Sequence, residues 1–134
     1  MKRKIYTQLM AWKEDGAGRT ALLVDGARSV GKSYIVEQFA RAEYRSYILI
    51  DFSRVSDDVK DLFEHYLNDL DTLFLYLANY YNVKLYERES LIIFDDVQLC
   101  PRARAAIKYL VADGRYDYIE TGCSFTVLNR SAKD

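Results

Sequence analysis

The sequence predicts an α/β layered domain built on a mostly parallel sheet. Two observations lead there: short apolar runs that do not alternate with polar residues, and helical periodicity in the segments between them. Four stretches read as strands: Thr20–Asp25, Ser46–Asp51, Ser90–Asp95 and Tyr116–Glu120. Three of these are nearly continuous apolar runs, the pattern of strands covered by helices on both faces. Strands alternating with helices in this order make a layered α/β domain.

The basic start Met1–Lys4 reads as a solvated helix end. After the first strand, Ser33–Arg41 places Ile35, Val36, Phe39 and Ala40 on one helical face. Val59–Asn82 repeats apolar residues from Leu62 to Tyr81 at helical spacing, and is expected as two helices broken near Asn68-Asp69. Arg102–Ala112 forms a further helix, with Pro101 in its first turn and Gly114 just past its end. There is one proline and no low-complexity stretch, so neither a linker nor a repeat is expected. The 12 tyrosines read as core and helix packing rather than a base-stacking surface.

A chain of 134 residues is long enough for one core and one domain, spanning 1–134. Half of it is apolar and 29% is charged, which excludes a disordered chain. The net charge of -1 gives no sign of a nucleic-acid or membrane surface. No apolar run is long enough to span a bilayer, and the N-terminus lacks a signal-peptide core. Cys100 and Cys123 have neither the number nor the spacing of a disulfide framework or a zinc site, so a reducing cytoplasm is the expected setting. His65 is the single histidine and reads as a polar helix residue.

Chemistry concentrates where the first strand meets the first periodic helix. Gly26-Ala27-Arg28-Ser29-Val30-Gly31-Lys32-Ser33 fills the P-loop pattern. Gly31 lets the backbone turn so that successive N–H groups face phosphate oxygens, and the helix that follows aims its positive end at the same place. Lys32 is then the countercharge for the β- and γ-phosphates, and the Ser33 hydroxyl is a hard-oxygen ligand for Mg²⁺. The candidate nucleotide-binding residues run from Gly26 through Tyr34. The motif follows an apolar strand and opens an amphipathic helix, the context that supports it.

Such a loop needs a carboxylate opposite the Ser33 hydroxyl. Leu91-Ile-Ile-Phe-Asp95-Asp96 is an apolar strand ending in two acids. Asp95 is expected to hold Mg²⁺ through water, with Ser33 on the other side, and Asp96 to orient or deprotonate the attacking water. The fourth strand ends in Glu120-Thr121-Gly122-Cys123-Ser124. In a doubly wound sheet ligands sit beyond the carboxyl ends of the strands, so Thr121 or Ser124 either reaches the γ-phosphate or the attacking water, or satisfies a turn.

Together, Thr20–Ser33, the Ile-Phe-Asp-Asp-Val-Gln stretch ending at Gln98, and Tyr118–Gly122 resemble the prokaryotic AAA+ ATPases that usually carry a C-terminal domain of unknown function. Lys4–Leu9 and Asp113–Asp117 fit the same family, so the resemblance covers nearly the whole chain. It implies a three-layer P-loop NTPase core of the ASCE/AAA+ type, with strand order 5-1-4-3-2 and ATP as the nucleotide. It also implies the Walker B role for Asp95 (stretch 91–96) and a sensor role for the hydroxyl near Thr121 (strand end 120–124).

Three departures bear on the chemistry. Where the family has Asp-Glu, this chain has Asp95-Asp96. Aspartate is one methylene shorter, which sets the carboxylate back by about 1.5 Å, and a misplacement of about 1 Å can cost on the order of a hundredfold in rate. Cys123 stands where the family usually has serine, and the sequence stops after the fourth strand, so the core is expected to be incomplete at a fifth strand and lid. Arg102, Arg104, Arg115 and Arg130 are candidates for an arginine finger, and each also reads as a surface residue. Without a fifth strand Ala21–Val24 becomes an apolar edge, covered by the tail Phe125–Asp134 or by another chain, so a homo-oligomer or edge-paired dimer is expected. Two functions follow from the sequence: a Mg²⁺-ATP-binding core that hydrolyses slowly, or a nucleotide-binding module or fragment of a longer ATPase that does not turn over.

Overall fold

The computed structural model describes residues 2–26 and 30–123. Their order is α1 (Lys2–Gly16), β1 (Leu22–Gly26), α2 (Val30–Glu43), β2 (Ser46–Asp51), α3 (Asp57–His65), α4 (Leu70–Tyr81), β3 (Ser90–Asp95), a single 3-10 turn (Val97–Leu99), α5 (Pro101–Asp113) and β4 (Asp117–Cys123). The strands form one all-parallel sheet in the order β1-β4-β3-β2. This matches four positions of the order that the resemblance implies. A fifth strand is not found among the described residues.

Strand side chains alternate between two apolar layers, as the period of two requires. Ile92 and Phe94 of β3, with Ile48 and Ile50 of β2 and Tyr118 of β4, face α3, α4 and α5. Leu91 and Ile93, with Ile119 of β4 and Leu22 and Val24 of β1, face α1 and α2. All six residues of β3 are buried, which is why its sequence reads as an unbroken apolar run. Phe52, Phe63 and Phe94 meet in tilted and edge-on contacts with ring centroids 5.3–6.0 Å apart, joining α3 to the sheet.

Helix ends follow local chemistry. The break expected near Asn68-Asp69 falls between His65 and Leu70, where Asp69 caps α4 by accepting from the Thr72 amide at 3.3 Å and the Thr72 hydroxyl at 2.7 Å. α5 begins at Pro101 and ends on Gly114 at φ +84°, the left-handed region that glycine adopts freely. Two strands differ from their expected limits. β1 runs Leu22–Gly26 instead of starting at Thr20, and β4 extends to Cys123 instead of ending at Glu120. The extension follows from pairing: beyond Glu120, β4 continues against β1, with Thr121 opposite Val24, Gly122 opposite Asp25 and Cys123 opposite Gly26. Thr-Gly-Cys has little intrinsic strand preference, so the sheet neighbour rather than the local sequence sets this end.

A second polar cluster pins the opposite, amino-terminal end of the sheet. Asp117 is buried and accepts from both Arg88 and the Tyr44 hydroxyl, the latter at 2.5 Å. Arg88, at φ +61°, also donates to the Gly114 carbonyl at 2.9 Å. Burial, and then the bond to Asp117, hold the Tyr44 phenol above its ordinary range.

Candidate functional site

The carboxyl ends of β1, β3 and β4 meet the start of α2, and there the sequence-derived candidates converge. Lys32 lies in the first turns of α2, is 9% exposed, and donates from Nζ to the Gly122 carbonyl at the end of β4. The next residue turns toward β3: Ser33 Oγ donates to Asp95 Oδ1 at 2.8 Å. Thr121 Oγ1 donates to that same Oδ1 at 2.6 Å and accepts from the Asp96 amide at 3.0 Å. One carboxylate oxygen at the end of the central strand therefore receives protons from two different elements.

This arrangement is a consequence of sheet order. β3 lies between β4 and β2, so an acid on its last residue is within reach of groups carried by both neighbours and by the helix above. Asp95 is 6% exposed, and its burial is balanced by the two hydroxyl donors. Asp96 leaves the strand in the left-handed conformation at φ +56°, where the 3-10 turn starts, and its amide donates to Thr121.

Thr121 is placed differently from what its strand-end position suggests. It is fully buried, and its hydroxyl proton goes to Asp95 rather than outward to a phosphate or a water. It links the Asp95 carboxylate to the Asp96 amide. Tyr34 is 52% exposed, and its hydroxyl accepts from Gln38 at 2.8 Å on the outside of α2. Gly26 ends β1, and Val30 and Gly31 open α2. Ala27, Arg28, Ser29, Ser124 and Arg130 lie outside the described residues, as does the tail Phe125–Asp134.

The remaining arginine candidates are held elsewhere. Arg102 meets Asp61 and Glu64 at 3.1 and 3.3 Å, Arg104 meets Glu120 at 3.5 Å, and Arg115 meets Asp71 at 2.7 Å. His65 is an exposed residue of the last turn of α3, beside Glu64, and Cys100 is a buried free thiol.

Two neighbours of the site escaped the sequence reading. Asp51 ends β2 directly beside Asp95, and carboxylate oxygens of Asp51, Asp95 and Asp96 lie within 4.8 Å of one another. Its own Oδ1 accepts from the Ser53 amide and hydroxyl at 3.0 and 2.6 Å. The available signal was the same as for Asp95, an apolar strand ending in an acid. The second neighbour is Gln98, in the 3-10 turn: a Cβ on Gly122 would stand 3.4 Å from Gln98 Oε1. Its signal could only come from the fold, because nothing in Val97-Gln98-Leu99 indicates which strand the amide faces.

Chemically the site offers an ammonium, a hydroxyl and oxygen-only acidic ligands at the mouth of a strand-loop-helix turn. Hard oxygens of this kind suit Mg²⁺ rather than softer metals, and Ser33 with Asp95 is the pair that could hold it. A buried lysine at a helix start suits a phosphate.

The family model described as an AAA domain matches residues 18–134. No curated protein and no solved structure matches the sequence. No helix among the described residues is long and apolar enough to cross a membrane. With a parallel sheet flanked by helices and a family match over most of its length, the chain belongs to the AAA-domain family, whose domain is of the nucleotide-binding, ATPase-like type.

Proposed function

We propose that the chain binds Mg²⁺-ATP through Gly26–Ser33 and Asp95 and hydrolyses the γ-phosphate slowly. The observation that supports this reading is the bond from Ser33 to Asp95 beside the buried Lys32, a hydroxyl, a carboxylate and an ammonium at one strand end. Ser33 and Asp95 would hold the Mg²⁺, which when bound neutralises phosphate charge and orients the phosphate oxygens. Lys32 supplies the second countercharge, and the α2 N-terminus adds its dipole. Thr121 holds the Asp95 carboxylate by donating to it and tethers the backbone at Asp96 by accepting from its amide. Asp96 is the residue proposed to take a proton from the attacking water.

Preorganised charge of this type supplies most of the rate in phosphoryl transfer, so a site with Lys32, Ser33 and Asp95 in place supports turnover even with a poorly placed base. The shorter Asp96 is the observation that favours the second reading, a module that binds without turning over. Single-turnover hydrolysis by the wild type, Lys32→Ala and Asp96→Glu separates the two. The enzymatic reading expects Asp96→Glu to speed hydrolysis and Lys32→Ala to abolish it. If all three proteins match buffer while the wild type still binds nucleotide, the binding module is the correct description.

A further inference from the structure

Two adjacent strands of the sheet end in an acid on the face of α2. Asp51 closes β2 in register with Asp95 at the end of β3. Strand side chains alternate, so both acids stand on the face of Leu49 and Ile93, which packs on α1 and α2. Asp95 is bonded to Ser33 of α2 on that face. Asp51 is held in place: its Oδ1 accepts from the Ser53 amide and hydroxyl at 3.0 and 2.6 Å, and its Oδ2 lies 3.7 Å from the exposed Arg54 guanidinium. Its side chain is 31% exposed, so water reaches it. Carboxylate oxygens of Asp51 and Asp96 lie within 4.8 Å of each other. Two ionised carboxylates this close disfavour each other unless a donor lies between them. A water that donates to two acceptors, at about 2.8 Å per bond, holds those acceptors roughly 4.4 Å apart. The two acids are within the reach of one bridging water, beside the Ser33–Asp95 bond.

We propose that Asp51 is a catalytic residue: its carboxylate and that of Asp96 each accept a hydrogen bond from the water that attacks the γ-phosphate. This rests on the reading of the chain as a Mg²⁺-ATP hydrolase. The water oxygen bonds to the γ-phosphorus, and the bond from that phosphorus to the β–γ bridging oxygen breaks, its electron pair leaving on the diphosphate. One water proton passes to Asp96, and the other, held by Asp51 during the attack, stays on the released phosphate. With both protons engaged by the acids, the water's lone pairs point away from them. A second acceptor matters most where Asp96 is one methylene short, because a displacement of about 1 Å can cost on the order of a hundredfold in rate. The acid set back on β3 is supplemented from the neighbouring strand, β2.

The test compares the full chain as wild type, Asp51→Asn, Asp96→Asn and the double variant. Asparagine keeps the shape of the side chain and the acceptor that Ser53 uses, and presents an amide donor to the water. Hydrolysis is read by single turnover with Mg²⁺-ATP over a range of Mg²⁺ concentrations, binding with a fluorescent ATP analogue, and folding by thermal melting. Asp51→Asn is expected to slow hydrolysis by roughly ten- to a hundredfold, with nucleotide affinity and half-saturating Mg²⁺ within about threefold of the wild type. The double variant is expected to lose less than the product of the two single losses, because one water is misplaced only once. Wild-type hydrolysis by Asp51→Asn overturns the proposal. So do losses that multiply in the double variant, which give the two acids separate tasks. A tenfold or greater rise in the Mg²⁺ requirement places Asp51 on the metal and overturns it, and loss of binding and thermal midpoint together marks a structural role and does the same. A wild type that binds Mg²⁺-ATP without hydrolysing it overturns the role of Asp51 and leaves nucleotide binding standing. A wild type that fails to bind removes both.

Discussion

The Thr121 hydroxyl has one proton and two lone pairs, and the structure commits them to the two acids: the proton to Asp95 and an acceptor site to the Asp96 amide. Removing it leaves a buried amide without its acceptor and a buried carboxylate with one donor fewer. Thr121→Val is therefore expected to lower stability by about 1–3 kcal/mol, read by urea denaturation, and to weaken Mg²⁺-nucleotide binding, whereas Thr121→Ser keeps both. Retention of wild-type stability by the valine variant would show that the bond network is dispensable. At Glu120, burial raises the carboxyl above its ordinary range, and the nearby Arg104 offsets only part of that. A folded value above the unfolded one means the group's contribution is fully present below the unfolded value and is lost as pH rises through the folded value. Neutral pH is on the losing side. Glu120→Gln is expected to raise the thermal midpoint at pH 7, with the gain shrinking as pH falls through the raised folded value and gone below the ordinary carboxylate value of about 4.3; a gain that persists at pH 3.5 would contradict the assignment. Lys32, Ser33 and Asp95 were legible at this scale because a P-loop needs those residue types at fixed spacing. Asp51 and Gln98 were not, because their relevance depends on which strand ends are neighbours.

Elements were more legible than their ends. The unbroken apolar runs of β2 and β3 reproduce their observed limits, since each is bounded by polar residues on both sides. The break between α3 and α4 lies where Asn68-Asp69 interrupts the period, because Asp69 is a capping residue. β4 was read three residues short, its last part being held by β1 rather than by its own propensity. Those three residues contain Thr121 and Gly122, so the error fell on the part of the element that builds the site. The end of α5 rests on Gly114 at φ +84°, where a Cβ would meet nothing within 4 Å. A substitution there is opposed by backbone conformation alone, so Gly114→Ala is expected to cost about 1–2 kcal/mol in chemical denaturation, and an unchanged midpoint would show that the turn relaxes.

The described residues form a sheet with an apolar layer on each face, with β1 and β2 as its outer strands. Within the described residues β1 pairs with β4 alone, and Leu23 is 37% exposed on the face shared with Ala21. An outer strand of this kind invites pairing, so we expect concentration-dependent self-association that Leu23→Lys suppresses, followed by sedimentation velocity. A monomer throughout the high-micromolar range would contradict it. The layer order was legible because α/β alternation admits few topologies. What lies against β1 was not, because an edge is defined by whatever pairs with it.

The central claim, a Mg²⁺-triphosphate site built on Lys32, Ser33 and Asp95, is tested most directly by calorimetric titration of ATP into the wild type and Lys32→Ala, each with Mg²⁺ and with EDTA. The expected result is saturable binding by the wild type that weakens without Mg²⁺, and a loss of at least about tenfold in Lys32→Ala, since a charged hydrogen bond contributes about 1.5–3 kcal/mol. A wild type that takes up no nucleotide, or a Lys32→Ala variant that binds as tightly as the wild type, would contradict it.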